Sequence, residues 1–179
     1  MSYMVLLIIL FNKNVLGGNM FRQMRRWKQQ LTDAQTKEML KKTRRGVLSV
    51  IGDEDYPYGI PINYYYDEDD NAIYFHSAKE GHKIDSIKRS NKVSLTIMNN
   101  ERLDDEDGWS YHVESVVVFG KASFVTDKEI LVDRATKFAR KYFPTEEDVK
   151  NEMNPDSMSR MAFIKIDIEH MSGKSVHEK

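Results

Sequence analysis

Apolar residues recur along the chain with two different periods, and the changes of period divide it into elements. Residues 32–42 carry a helical pattern that opens on Thr32-Asp33-Ala34-Gln35, the Thr-to-Gln spacing of a capping box, and Gly46 follows as a stop. The period then shortens. Residues 47–51 (VLSVI), 58–66 (YGIPINYYY), 73–75 (IYF), 92–98 (KVSLTIM), 112–125 and 161–168 (MAFIKIDI) read as strands. Residues 112–125 read as one long strand or as two joined by a bend at Gly120, and the 99–108 stretch reads as an exposed acidic loop. Helical spacing returns after Gly81, where Ile84 and Ile87 share one face, and again over residues 127–142, with acids early and Arg140-Lys141 late. Pro144 ends that helix, and residues 145–159 read as a short acidic helix and a loop broken at Pro155.

Short, antiparallel-looking strands with helices in their connections favour an α+β barrel over a doubly wound sheet. No P-loop or GxGxxG run is present, so nucleotide binding through those folds is unsupported. The 179 residues suit a single domain, taken as residues 20–179. Residues 1–19 read as an N-terminal extension, because Gly17-Gly18-Asn19 breaks the chain before Met20; the alternative is an extra strand over the apolar run 5–11 (VLLIILF). That run is too short to span a membrane and lacks a basic leader, which points to a cytoplasmic protein. A net charge of -1 gives no pull toward nucleic acid or acidic lipid, and the basic block Arg22, Arg25, Arg26, Lys28 is short and offset elsewhere. Neither nucleic acid nor membrane is therefore expected as a partner. The absence of cysteine excludes thiol catalysis, iron–sulfur clusters and thiolate zinc sites.

Two local rules are broken. Lys79, His82 and Lys83 crowd the start of the helix after Gly81, although a helix N-terminus prefers anions. A bound phosphate held by backbone N–H groups and side-chain cations would explain this; a solvated basic turn is the plainer alternative. Pro61 stands inside a strand, which places that strand at an edge or a bulge and leaves backbone near Ile62 and Asn63 free for something else. His76 ends the third strand beside the basic turn, as a catalytic or a packed histidine. Ser77 beside it lacks a nucleophile-elbow pattern. Tyr64, Tyr65 and Tyr66 could stack a planar ligand or simply pack. His112, His170 and His177 read as structural or solvent-facing, and the scatter of the five histidines argues against a metal site.

The strings FRQMRRWKQQL, YPYGIPINYYYD, YFHSAKEGHKIDSIKRSNKVS, SVVVFGKA and IEHMSGK, in that order from about residue 20 to residue 174, resemble the 5-nitroimidazole-resistance (Nim) family. That family lies among the flavin-binding split barrels related to pyridoxamine 5′-phosphate oxidase. The resemblance implies an α+β fold built on a six-stranded antiparallel split β-barrel with flanking helices. It also implies bound FMN, with FAD as a variant, and a homodimer with flavin at the subunit interface. His82 and Lys83 match the basic pair at the FMN phosphate, and Ser77 lies in the same turn. Pro61, Ile62 and Asn63 match the strand whose backbone lines the flavin ring, and His76 matches a histidine beside the flavin. The implied activity is reduction of a nitroaromatic or other small electron acceptor, with His76 delivering protons. The alternatives are a non-enzymatic flavin carrier, or a haem-binding split barrel with His76 or His112 as axial ligand. The oxidase proper has arginine where His82 stands, so vitamin B6 oxidation is not implied.

Overall fold

The computed structural model describes residues 20–178. The expectations for residues 1–19 lie outside the described residues. Seven strands form one sheet: β1 (Arg45–Ile51), β2 (Pro57–Asn63), β3 (Tyr65–Asp67), β4 (Ala72–Ala78), β5 (Lys92–Leu103), β6 (Tyr111–Phe124) and β7 (Met161–Glu178). Their spatial order is β2-β1-β5-β6-β7-β4-β3, and every pairing is antiparallel. The alternation read from the sequence sends Leu48, Val50, Leu95, Ile97, Val116, Val118, Ile164 and Ile166 to one face, where they meet Ile73 and Phe75 in a single core. That face curls on itself. Helix α1 (Asp33–Lys42) adds Met39 and Leu40 to the core, and α2 (His82–Arg89) adds Ile84 and Ile87. The Thr32–Gln35 capping box forms as predicted. Because the sheet curls, β2 and β4 approach each other without ladder hydrogen bonds, leaving an open seam. This is a split barrel with flanking helices.

The outer side of β4 and β7 is covered by α3 (Lys128–Tyr142), through Ala135 and Phe138 on Ala72, Tyr74 and Phe163. Arg134 ties the helix to the turn before β4 by a 2.8 Å bond to Asp70. Two short helices follow, α4 (Glu146–Glu152) and α5 (Pro155–Arg160). Pro155 starts a helix, at N1 where its missing N–H costs nothing, instead of breaking a loop. Among the described residues no helix is long and apolar enough to cross a membrane.

Among the described residues the strand count is seven where six were expected, because the 58–66 strand breaks at Tyr64. The Tyr64 N–H donates to the Tyr142 hydroxyl (2.8 Å), and the Tyr64 carbonyl lies 2.7 Å from that same hydroxyl. A side chain from α3 thus takes the place of a neighbouring strand, and the chain crosses from one edge of the sheet to the other. The expected acidic loop at 99–108 is also shorter than predicted: β5 continues to Leu103 past an irregularity between Asn99 and Arg102. β7 likewise runs ten residues beyond Ile168, paired with β6 to Glu178. Polar residues in these extensions obscure the alternation while the ladder persists. The bend at Gly120 is a bulge, where β6 pairs Phe119 with His170 and Gly120 with Ile168.

Candidate functional site

The seam between β2 and β4 leaves a cleft of about 380 Å³ lined by Arg45, Pro61, Ile62, Asn63, His76 and Lys83. That volume falls within the range of small-ligand sites. Among the described residues β2 is an edge strand paired only with β1, so the position of Pro61 follows from its missing donor. Alternation turns Ile62 into the core, while Pro61 and Asn63 face the cleft side. Arg45 stands opposite Asn63 in the β1–β2 ladder, and its Nε donates to Asn63 Oδ1 at 3.3 Å.

His76 reaches the cleft from the end of β4. Its ring packs edge-on against Phe138 with centroids 5.1 Å apart. Together with Asn63 it also lines a smaller apolar cavity of about 90 Å³, whose wall includes Phe138, Met153, Met161 and Phe163. His76 is exposed overall, with part of the ring held against protein at Phe138. That burial pushes its pKa down, with Lys83 adding to the effect and Glu152 opposing it. The ring is therefore neutral near pH 7.

Lys83 is half-buried, its Nζ 5.7 Å from the Phe75 ring centroid. Burial lowers its pKa as well. Among the described residues no carboxylate lies within ion-pair distance of Lys83. A lysine withdrawn from water without a counter-ion is costly unless an anion visits it. The N–H groups of His82 and Lys83 precede the first bonds of α2, which run from Ile84 and Asp85 to Gly81 O.

Five of the seven residues expected at the site, Pro61, Ile62, Asn63, His76 and Lys83, converge on the cleft. Two do not. Ser77 follows His76 on a strand and so faces the opposite side of the sheet. The His82 ring turns away, stacks on Tyr58 at 4.3 Å and lies 3.6 Å from Asp53 Oδ2. Arg89 bonds the same carboxylate, so the His82 ring is held in a surface cluster away from the cleft. Arg45 is the cleft residue that sequence reasoning missed. Its only signal was a cation two residues before a strand, and Gly46 drew attention as a helix stop instead. Tyr64 and Tyr66 are buried and Tyr65 packs beside α3, which makes them core residues.

The sequence matches the family model described as pyridoxamine 5′-phosphate oxidase over residues 32–175. The chain belongs to this family. Among solved structures it is similar to a candidate 5-nitroimidazole antibiotic resistance protein from Bacteroides thetaiotaomicron, at 22% identity and a TM-score of 0.71, over 83% of this chain and 87% of that one. It is also similar to the flavocytochrome Anf3 from Azotobacter vinelandii, at 16% identity and a TM-score of 0.71, over 87% of this chain and 72% of that one. A FAD-binding protein from Mesorhizobium loti matches at 21% identity and a TM-score of 0.58, over 82% and 96%. At these identities the likeness establishes the fold. Among curated proteins, none is matched by the sequence.

Proposed function

We propose that this protein is a flavin-dependent oxidoreductase that holds FMN, or FAD, in the seam cleft and reduces a nitroaromatic or similar small acceptor. The observation that carries the proposal is Lys83, a half-buried cation without a carboxylate partner, on the same cleft as the free edge of β2 and His76. The donor set fits a flavin: Lys83 and the N–H groups opening α2 suit a phosphate, and Pro61 to Asn63 offer unpaired edge backbone to a ring. Bound flavin would supply electron pairs which, with matching protons, convert a nitro group to the amine and water.

The residues of the chain supply position and protons. The apolar cavity beside His76 suits an aromatic acceptor in contact with Asn63 and Phe138. A neutral His76 donates a hydrogen bond to a nitro oxygen, and negative charge developing there raises the proton affinity of the imidazole, which favours proton relay. Water exclusion comes from Phe138, Met153 and Phe163. A homodimer is part of the proposal. Val47 (41% exposed), Met98 (70%) and Phe119 (40%) stay open on the outer face of the sheet, and Val47 is the ladder partner of Pro61. A second copy docked on this face would close the cleft.

The test is spectroscopic first. Purified protein, or protein titrated with FMN, should be yellow and quench flavin fluorescence at a stoichiometry of one per chain. It should then oxidise a reduced pyridine nucleotide only when a nitroaromatic is present. A colourless protein that ignores added FMN would overturn the flavin reading. A yellow protein without turnover would assign it to flavin carriage instead.

A further inference from the structure

His112 and His177 stand directly opposite each other in the β6–β7 ladder, so strand pairing brings together two histidines that are 65 positions apart in sequence. Their rings stack with centroids 4.1 Å apart and planes 8° from parallel. Both Nε2 atoms lie 2.8 Å from the same oxygen, Asp104 Oδ2. Asp104 is buried at the end of β5, with its other oxygen fixed by the Glu106 N–H at 2.8 Å. The three ligand atoms fall within 4.8 Å of one another. None of these residues lines the seam cleft.

Hydrogen bonds link the cluster to its surroundings. Ser110 Oγ is 2.9 Å from His177 Nε2 and 2.5 Å from Asp107 Oδ2, to which it donates. Two His–Asp contacts, one Ser–Asp contact and one Ser–His contact therefore share the protons of two imidazole nitrogens and one hydroxyl. The His177 Nε2–H can be shared between Asp104 Oδ2 and Ser110 Oγ, and what sets the cluster apart is that two imidazole nitrogens converge on one carboxylate oxygen. A cation at the centre would give both nitrogens and Oδ2 one common partner as lone-pair donors, with Ser110 Oγ keeping its bond to Asp107.

We infer that Asp104, His112 and His177 form a binding site for a divalent transition metal of the Zn2+ class. The donor set is two imidazoles and one carboxylate, in keeping with the preference of such metals for nitrogen and hard oxygen. Zinc bonds of about 2.0–2.1 Å in a tetrahedron separate neighbouring ligand atoms by about 3.3 Å. The two 2.8 Å Asp–His separations need to open by about half an ångström, and the stacked imidazoles must tilt so that both ring planes meet at the metal. Asp107, holding Ser110 and two backbone N–H groups, buttresses the ligands from behind. The ligands come from the end of β5, the start of β6 and the end of β7, so the metal would fasten the β5–β6 hairpin to the C-terminal strand.

The experiment uses the untagged full chain, stripped with EDTA and titrated with Zn2+ and with Co2+. The expected result is one metal per chain, visible d–d bands of four- or five-coordinate Co2+, and a Tm raised by roughly 5–10 °C at saturating Zn2+. His112→Gln and His177→Gln, each confirmed folded by circular dichroism, should lose the Co2+ spectrum and the Tm rise. Absence of saturable binding by the wild type would overturn the site, as would a Co2+ spectrum that survives both substitutions. Should the variants fail to fold, X-ray absorption of the zinc-loaded wild type decides: two imidazoles with oxygen ligands support the site, and a shell with fewer imidazoles rejects it.

Discussion

Tyr142→Phe removes one oxygen atom and tests the reason the sheet switches edges at Tyr64. In the wild type the Tyr142 hydroxyl accepts from the Tyr64 N–H at 2.8 Å. Its own proton goes to the Tyr64 carbonyl at 2.7 Å or to the nearby Arg44 carbonyl. Tyr64 is fully buried, so neither of its backbone groups has water as a substitute. Leaving a buried donor and a buried acceptor unpaired costs about 1–3 kcal/mol each, which gives roughly 3–4 kcal/mol in all. For a chain of this length that corresponds to a Tm lowered by about 10 °C. Urea denaturation followed by circular dichroism reads the loss directly, with Tyr56→Phe as the control; that side chain is 75% exposed and its change should stay within about 0.5 kcal/mol. Because Asn63 adjoins the break, FMN affinity should fall in the same variant. A loss below about 1 kcal/mol, or one matching the control, would refute the claim that the hydroxyl substitutes for a strand.

The remaining predictions concern the cleft, the pH response and the bulge. Lys83→Ala should weaken FMN binding by roughly 10–100-fold, measured by fluorescence quenching at low salt, since it removes a charge-assisted contact of about 1.5–3 kcal/mol. His76→Ala should lower the rate of nitro-group reduction by about 10²-fold while the flavin spectrum is retained; an unchanged rate would strip His76 of its proton-handling role. Lys141 is half-buried against the Tyr64 ring, its Nζ 4.2 Å from the centroid, and this partial burial pulls its pKa from 10.5 to about 8, with Arg44 adding repulsion. Between those values the unfolded chain holds the proton that the folded chain has released, so stability should rise with pH from about 8 to 10.5 in wild type relative to Lys141→Met. Paired urea titrations across that window check the slope. Gly120→Ala should destabilise by roughly 2–4 kcal/mol, because a Cβ there would sit 2.3 Å from the Asp167 carbonyl, a backbone atom that cannot swing aside.

The sequence by itself determined the parts of this protein that depend on neighbours along the chain. Alternation in 47–51, 92–98 and 161–168 assigned the strand faces, and Ile84 with Ile87 assigned the buried side of α2. Thr32 and Gln35 set the start of α1, and Pro61 announced an edge strand with free backbone. Those signals, joined to the family resemblance, led to five of the six residues that line the cleft. Only the tertiary structure decided which strands adjoin and in what register, since a period reveals the face a side chain points to but not the strand it meets. Register placed Arg45 beside Asn63 and His112 across from His177. The docking of α3 delivered Tyr142 to the Tyr64 break, and the turn at Asp53 drew His82 away from Lys83. The cations that crowd the start of α2 in the sequence are thus divided by the fold. His82 is held at the surface by Tyr58 and Asp53, and Lys83 is left half-buried at the cleft, where an anion can reach it.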